Sequence, residues 1–132
     1  MDVLIIDRDE LVGSILADTL DAEGIPAAVA SDEEALRLPS DCAPRVVITG
    51  INRGHNEDMT GLKVVSEMRR RWPRLSAVYL ASLWPARLRP EMLAARERFL
   101  TKPACLAQMA GTVRELLDCS DARIGATQPR SR

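Results

Sequence analysis

Residues 3–9 read VLIIDRD, a run of four aliphatic side chains that ends directly in charged residues. A short, largely β-branched run bounded by charge is typical of a strand buried on both faces of a sheet. Asp9 is then placed to cap a helix that ends at Gly24. Two apolar rows at i, i+4 spacing lie side by side on this helix: Leu11-Ile15-Thr19 and Val12-Leu16-Leu20. This opening predicts the first strand and helix of an α/β chain.

The alternation of short apolar runs and helical patterns continues along the chain. Strands are predicted over residues 3–6, 25–30, 45–49, 75–80 and 98–101. Five strands that alternate with helices predict a doubly wound parallel sheet with helices on both faces. Ligands of such sheets bind at the carboxyl ends of the strands, so functional residues are expected directly after each strand.

The predicted helices have recognisable boundaries. Ser31 is placed to cap the second helix, with Glu34 in capping-box position, and Pro39 closes it. The third runs over 61–72 until Pro73, and the last carries an apolar stripe over 106–117. Residues 82–95 should also contain a helix, which their two prolines make short or irregular.

Composition excludes several classes of protein. The chain has 132 residues, 46% of them hydrophobic and 28% charged, which is ordinary for one soluble domain and not for a disordered chain. No run approaches the roughly 20 apolar residues of a membrane span, and no signal pattern opens the chain, so a cytoplasmic protein is expected. A net charge of −1 is too balanced for a nucleic-acid-binding protein.

Cysteine and arginine usage is distinctive. The cysteines, Cys42, Cys105 and Cys119, lack metal-site spacing and are interpreted as reduced structural thiols. Of the 18 basic residues only Lys63 and Lys102 are lysine, which we attribute to genomic composition bias. The run 69–71, three arginines, is interpreted as the solvated face of the third helix.

The residues that follow the strands, in their order, resemble the receiver domain of two-component response regulators. The resemblance covers roughly 2–117 and rests on VLIIDRDELVGSILADTLDAEGI, PRVVITGIN, GLKVVSEMRRRWPRL and FLTKP. It implies a bacterial protein of flavodoxin-like fold with strand order 2-1-3-4-5. The predicted domain is 1–119, followed by a flexible tail over 120–132.

The family transfers a phosphoryl group from a histidine kinase to an aspartate at the end of the third strand. Two acids after the first strand hold the Mg²⁺ that neutralises the charge of this reaction. The first acid matches Asp7, but the second falls on Arg8, and the phosphoacceptor position falls on Gly50. The resemblance therefore implies a degenerate site without a nucleophile.

The remaining positions of the family's site follow the fourth and fifth strands. The position of the hydroxyl that binds the phosphoryl group falls on Ala81, with Ser82 one step further. Lys102 matches the family's lysine, Pro103 follows it, and Phe99 falls on the aromatic of the switch. Ala81 and Lys102 thus belong to the degenerate pocket, whereas Ser82, Phe99 and Pro103 are candidate switch or interface positions.

Charge decides what the degenerate pocket binds. Asp7, Arg8 and Lys102 sum to about +1, whereas a family site carries about −2 before it binds metal. We therefore expect no Mg²⁺, no cofactor, no catalytic residue and no phosphorylation at Gly50. Arg8 either pairs with Asp7, turns to solvent, or joins Lys102 in binding a free anion.

The leading interpretation is a stand-alone receiver without enzymatic activity that acts as a protein–protein interaction module. The expected partner is a histidine kinase, a phosphotransfer protein, another regulator, or a second copy bound through the face of the family's fourth and fifth helices. Trp84, in the loop after the fourth strand, is a candidate anchor there.

Two alternatives stay open. In one, the loop over 50–60 supplies a substitute acceptor, Asp58 or Glu57, or uses His55, although a flexible polar loop lacks the preorganisation that phosphoryl transfer needs. In the other, Arg8 and Lys102 form an anion or small-ligand sensor.

Overall fold

The computed structural model describes residues 2–7, 10–50, 60–81, 96–101 and 106–125. Its strands form one five-stranded sheet of order β2-β1-β3-β4-β5, and each neighbouring pair is parallel. The elements are β1 Val3–Ile6, α1 Glu10–Ala22, β2 Ala27–Ala30, α2 Asp32–Leu36, β3 Val46–Gly50, α3 Thr60–Arg71, β4 Ser76–Ala81, β5 Glu97–Thr101 and α4 Leu106–Gly125. The predicted α/β class and strand order are confirmed. The helix predicted over 82–95 lies outside the described residues, and α4 is the helix that follows β5.

The sheet separates two apolar cores because successive side chains of a strand point to opposite faces. Val3 and Ile5 of β1 pack against α1 and α4 on one face, and Leu4 and Ile6 pack against α2 and α3 on the other. β1, β3 and β4 are buried on both faces, which explains their unbroken apolar runs.

Local signals in the sequence set the ends of α1 and α2. Ser31 Oγ accepts from the Glu34 amide at 3.1 Å, and Glu34 Oε1 accepts from the Ser31 amide at 2.9 Å, so the predicted capping box is confirmed. Gly24 has φ +80°, which favours glycine. The Ile25 amide donates to Leu20 O and the Gly24 amide to Asp21 O, which together form a Schellman motif.

Two boundaries differ from the sequence prediction. β2 begins at Ala27 rather than residue 25, because the Ile25 amide donates to Leu20 O and closes the end of α1. The backbone of α4 continues to Gly125, so residues 120–125 of the expected tail are helical. The limits of the predicted domain, 1–119, stay a prediction. Within the described ranges, no helix is long and apolar enough to cross a bilayer.

Candidate functional site

The carboxyl ends of the strands place the expected site residues along one edge of the sheet. Asp7 directly follows β1, Gly50 is the last residue of β3, and Ala81 is the last residue of β4. The register pairs Ile6 with Thr49, Gly50 with Leu80, and Ala81 with Thr101. The parallel topology therefore brings the ends of four strands to the edge at which α/β sheets bind ligands.

Asp7 is half-buried beneath the first turns of α1. A Cβ added to Gly13 would lie 3.7 Å from Asp7 Cβ and 3.0 Å from Val29 Cγ1. The missing side chain at position 13 lets α1 approach β1 and β2 closely. Gly13 thus lets the helix pass close to Asp7, an approach that sequence reasoning did not single out.

The end of β3 presents backbone at Gly50, the position at which the sequence resemblance predicts a missing phosphoacceptor. Gly50 has no side chain, and the Val46–Gly50 strand contains no acidic residue. The neighbouring Thr49 hydroxyl is 1% exposed and donates to Gly50 O at 3.3 Å. This hydroxyl is turned inward and bonded, so the strand end offers solvent no nucleophilic side chain.

The family resemblance implies a Mg²⁺ ion at this edge, and the described strand ends do not supply the ligands that it needs. Mg²⁺ requires octahedral oxygen coordination, and proteins supply it through carboxylates and bound waters. At the described strand ends the only carboxylate is Asp7, and the described residues contain no group of three potential ligands. We derive no step through a metal.

Several predicted site residues lie outside the described residues. They are Arg8, Ser82, Trp84, Lys102 and Pro103, together with His55, Glu57 and Asp58 of the loop. Their assigned roles stay predictions. Phe99 is described: it is half-buried, lies opposite Tyr79 in the register, and packs on the α2/α3 side of the sheet.

An exposed apolar surface on α1 is the feature that the sequence pattern did not reveal. Of the two rows, Leu16 and Leu20 are buried, whereas Leu11 is 69% exposed and Ile15 45%. Val12 on α1 and Val29 on β2 are each more than a third exposed. We call these four residues, Leu11, Val12, Ile15 and Val29, the α1 patch. The two adjacent apolar rows make a stripe that is wider than the surface that one packed element covers. The width of this stripe is the sequence feature that could have indicated an exposed apolar surface.

A buried polar cluster joins α3 to the far edge of the sheet. Glu97 Oε2 accepts from Arg69 Nη1 at 2.9 Å and from the Tyr79 hydroxyl at 2.7 Å. Arg69 also donates from Nε and Nη2 to Leu75 O. Burial, followed by the hydrogen bond to Glu97, raises the pKa of Tyr79.

The interpretation of the arginine run as a solvated face holds for exposed Arg70 and Arg71 and is wrong for Arg69. Arg69 belongs to the buried cluster, and Arg71 donates to Leu36 O and Leu38 O. Arg70 pairs with Glu67 at 3.5 Å. The run lies in the last turn of α3, where guanidinium groups reach carbonyls of the neighbouring connections.

Comparison with known proteins identifies the fold. No protein-family model and no curated protein matches the sequence. A response regulator receiver domain from Francisella superposes with a TM-score of 0.73 at 21% identity, covering 89% of this chain and 97% of its own. A receiver protein from Sinorhizobium medicae gives 0.72 at 24%, with 89% and 94% covered. A CheY-like receiver from Methanospirillum hungatei gives 0.77 at 18%, with 92% and 96% covered. The chain therefore has the CheY-like receiver fold of response regulators.

Proposed function

We propose that the chain is a degenerate receiver: a cytoplasmic, non-enzymatic docking module of two-component signalling that is not phosphorylated at position 50. The observation that carries the proposal is the α1 patch. Apolar side chains are exposed there on the helix that covers Asp7, beside a strand end that has no nucleophile. The module acts by binding a partner, and partner binding replaces phosphorylation as its control.

The α1 patch fits a helical partner. Leu11 and Ile15 stand one turn apart on a helix, so they present a ridge that packs into the groove between two helices. Exposed contiguous apolar surface on a soluble domain marks an interaction site. Since burying these side chains against a partner removes them from water, the patch supplies affinity without any covalent step.

The acidic charge of α1 further restricts the class of partner that the patch can bind. The sequence of α1 contains Glu10, Asp18 and Asp21 and no basic residue. A complementary surface is apolar at its centre and carries lysine or arginine around it. We therefore assign the patch to a helical signalling domain of this kind, in a histidine kinase or a phosphotransfer protein.

The charge of the pocket supports the absence of phosphorylation. Arg8 and Lys102 outweigh Asp7, and Gly50 supplies no oxygen nucleophile. A pocket of this sign repels Mg²⁺ and leaves the family's reaction without its acceptor. No cofactor is required for the proposed function.

Calorimetric titration against purified dimerisation domains of histidine kinases and phosphotransfer domains tests the docking proposal. The double substitution Leu11→Ser with Ile15→Ser should weaken binding roughly 10-fold or more, because it removes the apolar ridge. Leu36→Ser is the matched control, since Leu36 is 41% exposed on α2. Equal weakening by both changes, or binding that neither change affects, would contradict the proposal.

Treatment with acetyl phosphate and Mg²⁺, followed by intact-mass measurement, tests the absence of phosphorylation. We expect no added phosphoryl group. A mass increase that Asp58→Asn abolishes would instead establish the loop acceptor. Saturable binding of inorganic phosphate that Lys102→Gln abolishes would establish an anion sensor.

A further inference from the structure

A groove lies at the amino ends of β3 and β4, on the edge of the sheet opposite Asp7 and Gly50. Its volume is about 380 Å³, within the range of about 300–1,000 Å³ that ligand sites occupy. Pro44, Trp72, Pro73 and Leu75 supply its apolar lining. The groove is therefore a second concave surface, remote from the proposed docking helix and independent of the proposed function.

The aromatic wall of the groove is held in place by polar contacts. Trp72 Nε1 donates to Ser40 O at 3.1 Å, which fixes the plane of the indole. The Arg71 guanidinium stacks over the ring at 4.4 Å from its centroid and donates to Leu36 O and Leu38 O. A wall ordered before binding lowers the entropy cost of binding.

The charge of the groove has one sign. Three arginines line it, Arg45, Arg71 and Arg74, and no acidic residue does. Arg45 shares its charge with Asp2 at 3.9 Å. Arg71 donates to carbonyls, and the described residues place no carboxylate within 4.0 Å of it or of the exposed Arg74. The positive charge is thus available to a ligand.

We propose that this groove binds an acidic segment of a partner protein. An apolar side chain of the segment packs against Trp72 and the prolines, while its carboxylates face Arg71 and Arg74. Arginine presents a planar fork that suits carboxylates, and the fork of exposed Arg74 is the one that pairs with the ligand. Arg71 adds positive charge to the groove, while its terminal nitrogens donate to Leu36 O and Leu38 O. Charge complementarity selects an acidic peptide over a neutral or basic one.

Calorimetric titration of the full chain with short synthetic peptides tests the proposal. Each peptide carries one leucine, phenylalanine or tryptophan flanked by aspartate and glutamate, and each has a matched partner with asparagine and glutamine in their place. We expect the acidic peptides to bind, with affinity that falls as salt is added, and the amide peptides to bind roughly 10-fold or more weakly. Lack of binding by every acidic peptide at low ionic strength would overturn the proposal, as would equal binding of the matched pairs.

Charge reversal locates the site. Arg74→Glu should weaken binding of the acidic peptides roughly 10-fold, because Arg74 is exposed in the groove. Lys63→Glu makes the same change of charge on an exposed residue of α3 outside the groove lining and should leave affinity within twofold. Equal effects of the two substitutions would overturn the assignment. Self-association of the chain that Arg74→Glu abolishes would make the occupant a second copy and also overturn it.

Discussion

The substitution Glu97→Gln should destabilise the fold far more than a comparable change at the surface. Glu97 Oε2 accepts two hydrogen bonds, from Arg69 Nη1 and the Tyr79 hydroxyl, and the Glu97 side chain is only 12% exposed. Glutamine keeps the shape and one acceptor oxygen but removes the charge. The experiment therefore isolates the value of the carboxylate.

The expected magnitude follows from the two bonds. A hydrogen bond to a charged group contributes about 2 kcal/mol and a neutral one about 1 kcal/mol, so losing the charge costs about 2 kcal/mol in the free energy of unfolding. This loss is smaller than the ~3–5 kcal/mol that results when a buried charge is left without its partner, because Arg69 keeps its two bonds to Leu75 O. Tyr79→Phe removes one of the two bonds and should lower the free energy of unfolding by about 1–2 kcal/mol. The double variant with Glu97→Gln should show a coupling energy of about 1 kcal/mol between the two positions.

Urea unfolding followed by circular dichroism measures these values. Glu115→Gln is the control, because Glu115 pairs with Arg98 at 2.8 Å but is 60% exposed, and such pairs contribute about 0.5 kcal/mol. A loss for Glu97→Gln no larger than that of the control would refute the reasoning. If the losses in unfolding free energy of Tyr79→Phe and Glu97→Gln were strictly additive, the two residues would not be coupled through the Glu97 carboxylate.

Three further predictions concern single groups. Burial and the bond to Glu97 raise the pKa of Tyr79, the chain's one tyrosine, so the stability that the neutral hydroxyl contributes is complete below pH ~10 and is lost as the pH rises toward the raised pKa. Tyrosinate absorbance should therefore rise together with unfolding, and tyrosinate in a folded chain would contradict this prediction. Hydrogen bonds from the Ser31 amide and, second, its hydroxyl hold the pKa of Glu34 below its usual value, so the stability from this cap is present above that value and is lost as the pH falls through the lowered pKa. Ser31→Ala keeps the amide and removes the hydroxyl, so it should raise the Glu34 pKa part of the way in an NMR titration; an unchanged value would exclude the hydroxyl as a cause. Gly50→Asp alone should gain no phosphoryl group from acetyl phosphate and Mg²⁺, because Arg8 stands in the sequence where the family has its second acid. Gly50→Asp with Arg8→Asp should show the added mass, and modification of the single variant would disprove the proposed role of Arg8.

Local and topological features could be predicted from the sequence. The runs in β1 and β3 are recognisable because strands buried on both faces admit only apolar side chains. The Ser31 cap and the Gly24 terminus depend on neighbouring residues alone, so their motifs suffice. The meeting of Asp7 and Gly50 at one edge follows from the parallel topology, since strand ends of a parallel sheet share that edge.

Features that depend on distant neighbours could not be predicted. The spacing of Leu11 and Ile15 places them on one helix face, but it does not indicate whether another element covers that face. A run of arginines has the same pattern whether it faces water or reaches backbone carbonyls 33 and 35 positions away, as Arg71 does with Leu38 and Leu36. The groove beside Trp72 depends likewise on how the connection before β3 folds against the end of α3.

The carbonyl contacts of Arg69 and Arg71 bear on how this sequence can drift during evolution. Arg71 spans Leu36 O and Leu38 O with two nitrogens of one rigid fork, and the compact ammonium of a lysine lacks that geometry. A shift in genomic base composition can exchange arginine for lysine at exposed Arg70 without structural loss, but not at its two neighbours. Relatives with lysine-rich genomes should therefore still encode arginine at 69 and 71, while position 70 varies freely.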